Sequence, residues 1–196
     1  MNEELDKILK ENEELKKENA LLKEKLKSLQ INLEFDSLTG VYNKKTFKDL
    51  VTNYNDLGVL VIIDIDNFKS INDTYGHLLG DEILKSLGNV LNKAVRKSDF
   101  VGRFGGDEFL IFFKGINLSK ANIIMERLNK NVNKINIQDD YYLSISYGLT
   151  EYDNTISYND NLKVADNYLY MSKKRTDWNE ILQLVLFIFV LLKKLV

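Results

Sequence analysis

The chain has 196 residues, 44% of them hydrophobic, which is enough for one globular domain with its own core plus an appendage. It contains no cysteine, which excludes disulfides and thiolate metal centres and suits a reducing, cytoplasmic setting. A formal net charge of −2 and a single histidine argue against broad electrostatic binding to nucleic acid, and the Glu/Lys-rich first turns have no apolar stretch of the secretory type.

Residues 1–34 carry a heptad pattern. With Leu5 at position a, the a/d series runs Leu5, Ile8, Asn12, Leu15, Asn19, Leu22, Leu26, Leu29 and Leu33, seven of nine apolar. Glu11 and Glu18 fall at g, and Lys16 and Lys23 fall at e five residues later, the spacing for salt bridges between parallel partners. Asn12 and Asn19, both at a, find their own copies only in a parallel, in-register pair. This predicts a coiled-coil stalk about 45 Å long that holds a homodimer.

DSLTGVYNKKTF, residues 36–47, breaks the heptads: Gly40 suits a turn, and Asn43 suits the cap of a helix near 44–54 whose apolar stripe is Phe47, Leu50, Val51 and Tyr54. Leu57 to Ile63 is a nearly continuous apolar run, the pattern of a strand buried on both faces. It ends in Asp64, Ile65 and Asp66. Asp64 and Asp66 share a face, with the Ile65 carbonyl near the strand end, an arrangement suited to a metal or phosphate site. Residues 67–79 read as polar and turn-rich, with a helix from about Gly80 that buries Ile83, Leu84, Leu87, Val90 and Leu91. The Asn72 amide donates and accepts and Asp81 only accepts, so together they match the edges of guanine; equally, they are a loop Asn and a helix N-terminal Asp. His77 is a lone histidine in a Gly-flanked turn and reads as structural.

RFGGDEF, residues 103–109, lies between two β-prone runs and reads as a hairpin tip. Gly105 and Gly106 permit positive φ and leave room for a bulky ligand. Asp107 and Glu108 are hard oxygen donors. Strands are expected near 58–65, 99–104, 108–114 and 142–149, and helices near 44–54, 80–95, 118–135 and 161–174.

DSLTGVYN, DxDxFKxxND, GHxxGD and RxGGDEF, in this order from Asp36 to about Lys174, resemble the GGDEF family of diguanylate cyclases, which condense two GTP into cyclic di-GMP. The resemblance implies an α/β (α+β), palm-like nucleotidyl-cyclase fold with a mainly antiparallel sheet flanked by helices. It implies two Mg2+ (or Mn2+) ions per GTP, held by Asp64, the Ile65 carbonyl, Asp107 and Glu108. Asp107 matches the catalytic acid, and Glu108 is the adjacent acid, its part in deprotonation left open. Backbone amides of Asn67, Phe68 and Lys69, and the Lys173 side chain, would meet phosphate; Asn72 and Asp81 would hold guanine. Arg96 and Asp99 match the family's RxxD inhibitory site for cyclic di-GMP. Catalysis would join GTPs held by two facing domains, so the homodimer is part of the mechanism.

The chain departs from the family pattern at its end: Thr176 and Asp177 stand where a glycine and a phosphate-binding arginine are expected, with Arg175 a candidate substitute. The alternative reading is therefore an impaired domain that acts as a receptor for cyclic di-GMP or GTP. Residues 181–192 are apolar at 11 of 12 positions, short of the roughly 20 needed to span a membrane. A buried terminal strand or helix, a frameshifted tail and membrane contact are the readings open for this segment, membrane contact being the less favoured. The division expected is a stalk over 1–34, the cyclase domain over 35–178 and a tail over 179–196.

Overall fold

The computed structural model describes residues 2–138 and 141–174; Arg175, Thr176, Asp177 and the apolar segment 181–192 lie outside them. Helix α1, Asn2–Glu34, is followed by α2, Lys44–Thr52, and strand β1, Gly58–Ile65. Then come α3, Phe68–Tyr75, α4, His77–Ala94, β2, Phe100–Arg103, β3, Glu108–Lys114, and α5, Leu118–Val132. A small hairpin of β4, Asn136–Gln138, and β5, Tyr141–Tyr142, leads into β6, Ile145–Glu151, and residues 158–174 form α6. The main sheet has the order β2-β3-β1-β6, with every neighbouring pair antiparallel.

The apolar run of β1 is explained by two cores, one on each face. Val59, Val61, Ile63 and Ile65 join Phe109, Ile111 and Phe113 beneath α4 and α5, which contribute Leu87, Leu91, Met125 and Leu128. Leu60 and Ile62 join Leu110 and Phe112 beneath α2 and α6, which contribute Phe47, Val51, Ala165 and Leu169. The period of two along each strand sends alternate side chains to opposite layers. Asp64 and Glu108, even-numbered like Leu60 and Phe112, therefore belong to the α6 layer. That layer is tightly fitted: a Cβ on Gly148 of β6 would fall onto the Ala165 carbonyl of α6.

Several expectations need correction. Residues 67–79 are mostly helical: α3 occupies Phe68–Tyr75, and α4 begins at His77 rather than near Gly80. Ile71 is the only fully buried residue of α3, too few apolar positions to display a helical period, and Gly76 at φ +87° turns the chain between the helices. Asp81 is accordingly inside α4, not in its first turn. Helix α5 stops at Val132, and β6 begins at Ile145 rather than 142. The positive-φ glycines among the described residues are Gly40, Gly76 and Gly115, so Gly105 and Gly106 do not use that freedom. The Asn43 cap is present, its side chain accepting from the Thr46 N–H at 3.0 Å. In α1, Leu15, Leu22, Leu26 and Leu33 are exposed. No helix among the described residues is long and apolar enough to cross a membrane.

Candidate active site

The antiparallel register of β1 and β3 sets Asp64 directly opposite Glu108. Both carboxyls sit at the end of the sheet where β1 leaves for α3 and where β3 begins, so the fold brings together acids 44 positions apart in sequence. Asp66 lies just beyond β1 and is fastened to β6: its N–H donates to the Ser144 carbonyl at 3.1 Å, and Ser146 Oγ donates to Asp66 Oδ1 at 2.7 Å. That backbone bond and the Tyr152 N–H to the Gly58 carbonyl fix the alternation, so even residues of β1 bond to β6. Odd-numbered Ile65, its side chain buried, thus turns its carbonyl toward β3 and the 104–107 turn.

The electrostatics follow from crowding. Burial pushes the Asp64 carboxyl above its ordinary pKa, with Lys173 opposing and the Asp107 and Asp66 charges adding to the rise. Burial also raises Glu108, reinforced by Asp64, Asp107 and Asp166. Buried carboxyls that also crowd one another are what a cation would relieve. The donors are all hard oxygens. Among the described residues no three or more of His, Cys, Asp and Glu gather closely enough to hold a metal ion by themselves. Two carboxylates and a carbonyl leave a shell to be completed by water and by a ligand's phosphates, the mode usual for Mg2+. The residues present therefore fit a nucleotide-borne divalent cation.

Phe104 N–H donates to the Glu108 carbonyl at 2.8 Å, closing the turn that carries the two glycines. A Cβ on Gly105 would stand 2.7 Å from Glu108 Oε2, so a side chain there would push the Glu108 carboxyl aside. Arg103 clamps the same turn, Nη2 donating to the Gly106 carbonyl at 2.7 Å and Nε to the Gly105 carbonyl at 3.2 Å, while Nη1 reaches Asp36 Oδ1 at 3.2 Å.

Asn67 starts α3 in the left-handed region, φ 57°, the only positive-φ residue other than glycine among the described residues. Asn tolerates this conformation better than most side chains, and such strain gathers at functional turns. Phe68 and Lys69 occupy the first turn of α3, where backbone N–H groups have no intrahelical acceptor. Asn72 projects from the same helix toward α4, and its buried Oδ1 has no hydrogen-bond partner among the described residues. A Cβ on Gly80 would collide with that oxygen, so the glycine next to Asp81 opens the space beside Asn72. The Asn72 oxygen fills that gap and is fully covered there. Lys173, near the end of α6, pairs with Asp64 at 2.7 Å.

Arg96 and Asp99 stand apart from these acids, on the connection from α4 to β2. The Asp99 carboxylate accepts from the Arg96 N–H at 3.0 Å and from the Lys114 N–H at 3.1 Å, whereas the Arg96 guanidinium makes no ion pair among the described residues. A shallow cleft of about 250 Å3 there is lined by Arg96, Asp99, Asn92, Tyr42 and Phe35. Sequence reasoning missed three contributors: the Arg103–Asp36 clamp, Ser146 on Asp66, and Asp166 facing Glu108. Asp36 and Arg103 both lay inside motifs, but nothing in sequence joins them.

The family model described as "Diguanylate cyclase, GGDEF domain" matches residues 33–178. The "Probable diguanylate cyclase DgcC" of Escherichia coli K12 is 38% identical over 163 residues, 78% of this chain and 44% of that protein. "Diguanylate cyclase DosC" of the same organism is 35% identical over 151 residues, 71% of this chain and 33% of that protein. The chain thus spans less than half the length of these relatives. The crystal structure of the coiled coil and GGDEF domain of DgcB from Caulobacter crescentus in complex with c-di-GMP superposes with a TM-score of 0.74 at 25% identity, covering 82% of this chain and 91% of that one. The diguanylate cyclase SiaD from Pseudomonas aeruginosa, solved with its activator SiaC, shares the fold at a TM-score of 0.70 and 24% identity, covering 89% and 71%. With the family model running from the last turn of α1 through the α/β unit, the chain belongs to the GGDEF diguanylate cyclase family.

Proposed function

We propose that the chain is a diguanylate cyclase that condenses two GTP into cyclic di-GMP and two pyrophosphates across a homodimer. The observation that carries this is the pairing of Asp64 with Glu108 at a sheet end where acids outnumber cations. In this reading Asp64, the Ile65 carbonyl, Asp107 and Glu108 hold divalent cations. Bound there, Mg2+ or Mn2+ neutralises triphosphate and acidifies the attacking 3′-hydroxyl. The first-turn amides at Asn67, Phe68 and Lys69 receive phosphate oxygens, with Lys173 as a further cation. Asn72 Oδ1 accepts from a guanine N–H, and Asp81 from another. Arg96 and Asp99 form the product-binding inhibitory site. The exposed leucines of α1 support a role for residues 1–34 as a parallel coiled-coil stalk that brings two 35–178 domains together.

The test is incubation of the purified chain with GTP and Mg2+, followed by chromatography of the nucleotides. Cyclic di-GMP with pyrophosphate is the expected result. Tight binding of cyclic di-GMP or GTP without turnover would replace this reading with the receptor alternative, in which the Thr176 and Asp177 departure has disabled the phosphate clamp.

A further inference from the structure

Lys173 Nζ lies 2.7 Å from Asp64 Oδ1, the two side chains being 41% and 13% exposed. The surroundings are strongly one-sided. Asp107 and Asp66 press on Asp64; Asp64, Asp107 and Asp166 press on Glu108; among the described residues Lys173 is the one cation acting on both acids. Its ammonium thus sits among these acids, on an oxygen of the Asp64 carboxylate at the end of β1. The lysine stem is half in solvent and Asp64 is its one ion-pair partner among the described residues, so swinging away breaks a single ion pair.

Resting on the reading of Asp64 as a cation ligand, we propose that Lys173 is a placeholder for the divalent cation. In the nucleotide-free protein its ammonium occupies Asp64. When cation and GTP arrive together, the ammonium moves to the triphosphate and the cation takes the carboxylate. An ammonium and a divalent cation cannot share one oxygen at contact distance without severe repulsion. Cation binding alone therefore has to evict Lys173 with nowhere favourable for it to go, whereas GTP supplies an anion to receive it. The consequence is positive coupling: nucleotide tightens cation binding, and by linkage the cation tightens nucleotide binding by the same factor. The bare site thereby stays closed to stray divalent ions, and its acids keep a countercharge between turnovers.

The experiment is Mn2+ binding to the full chain, read by electron paramagnetic resonance of the free ion, with and without the α,β-methylene analogue of GTP. The variants are Lys173→Met, Lys173→Gln and, as a control, Lys163→Met. Lys163 is on the same helix but is engaged by Asp160 at 2.9 Å. Without nucleotide, both Lys173 variants should bind Mn2+ up to about 5-fold more tightly than the parent protein, the upper end expected for removing a competing, part-exposed ion pair. The analogue should then enhance Mn2+ affinity less in them than in the parent. Lys163→Met should match the parent. Equal nucleotide-free affinities in parent and Lys173 variants would overturn the placeholder, as would an equal gain in Lys163→Met, which would mark a general charge effect. A different failure identifies the premise: if the parent does not bind Mn2+ even with the analogue, and Asp64→Asn changes nothing, Asp64 is not a cation ligand.

Discussion

Arg103 ties the signature turn to Asp36: Nη1 stands 3.2 Å from Asp36 Oδ1 while the rest of the guanidinium holds the Gly105 and Gly106 carbonyls. Asp36 is two residues beyond the end of α1 and also accepts from the Thr39 N–H at 2.9 Å and the Thr39 hydroxyl at 2.6 Å. One planar side chain thus bridges the base of the long helix and the turn that carries the acids. Arg103→Met should lower stability by about 1–2 kcal/mol, the range for a charge-assisted, mostly buried pair. It should lower turnover more than that loss of folded protein accounts for, because Asp107 is released. Urea unfolding and cyclic di-GMP assays on the same samples check both effects, and full activity in the folded fraction would limit the clamp to a structural role.

The same contact has a pH signature. Burial opposes ionisation of Asp36, but hydrogen bonds from Thr39, then the Arg103 charge and hydrogen bond, hold its carboxyl below 3.8. A depressed folded pKa means that the stabilisation is complete above the unfolded value and is lost as pH falls through the folded one. Asp36→Asn should therefore cost stability at neutral pH and flatten the acid limb of stability below about pH 4. A parallel offset of the two curves at all pH values would assign the acid limb to other carboxylates.

Glu108 has the opposite sign. Its raised carboxyl pKa means that, without a cation, ionised Glu108 destabilises the fold above its folded pKa, and the penalty disappears as pH falls through that value toward the unfolded one. Glu108→Gln should stabilise the metal-free protein at pH 7 by roughly half a kcal/mol after solvent screening, with cyclic di-GMP formation abolished. Chelator-treated samples in thermal melts check the first part. A lower melting temperature for the variant would mean that Glu108 is held by contacts other than like charges.

Much of this site was legible because its parts are local. The two-sided β1 run, the Asn43 cap and the acids at the strand end follow from patterns spanning a few residues. Helix α3 was missed because Phe68 and Ile71 are nearly its whole apolar stripe, and polar residues alone resemble a loop. The role of Gly80 was not legible, since it is defined by the Asn72 side chain of the preceding helix that would meet its Cβ. The pairings of Arg103 with Asp36 and of Lys173 with Asp64 depend on which helix lies over which strand end, and no local period encodes that.

Removing residues 1–34 should leave a folded domain, since both cores are built from residues beyond α1. Its activity per molecule should rise steeply with protein concentration, because mass action replaces the local concentration that a stalk provides. Analytical ultracentrifugation beside activity assays checks this. Activity independent of concentration in the truncated chain would show that α1 does not bring the two half-sites together.

The proposed product site contains two residues that sequence treats as one motif and that the structure separates. Asp99 uses both carboxylate oxygens on backbone N–H groups of Arg96 and Lys114, so Asp99→Ala should loosen the connection between α4 and β2 as well as any product contact. Arg96 has its guanidinium free among the described residues and is the cleaner probe. Arg96→Ala should leave the initial rate unchanged and relieve inhibition by added cyclic di-GMP. Loss of one guanidinium–guanine contact costs about 1–3 kcal/mol, or roughly 5- to 150-fold in product affinity. Isothermal titration of parent and variant with cyclic di-GMP reads the affinity directly. Equal affinities would remove Arg96 from the product site, and a rate depressed at every product concentration would make it a structural residue instead.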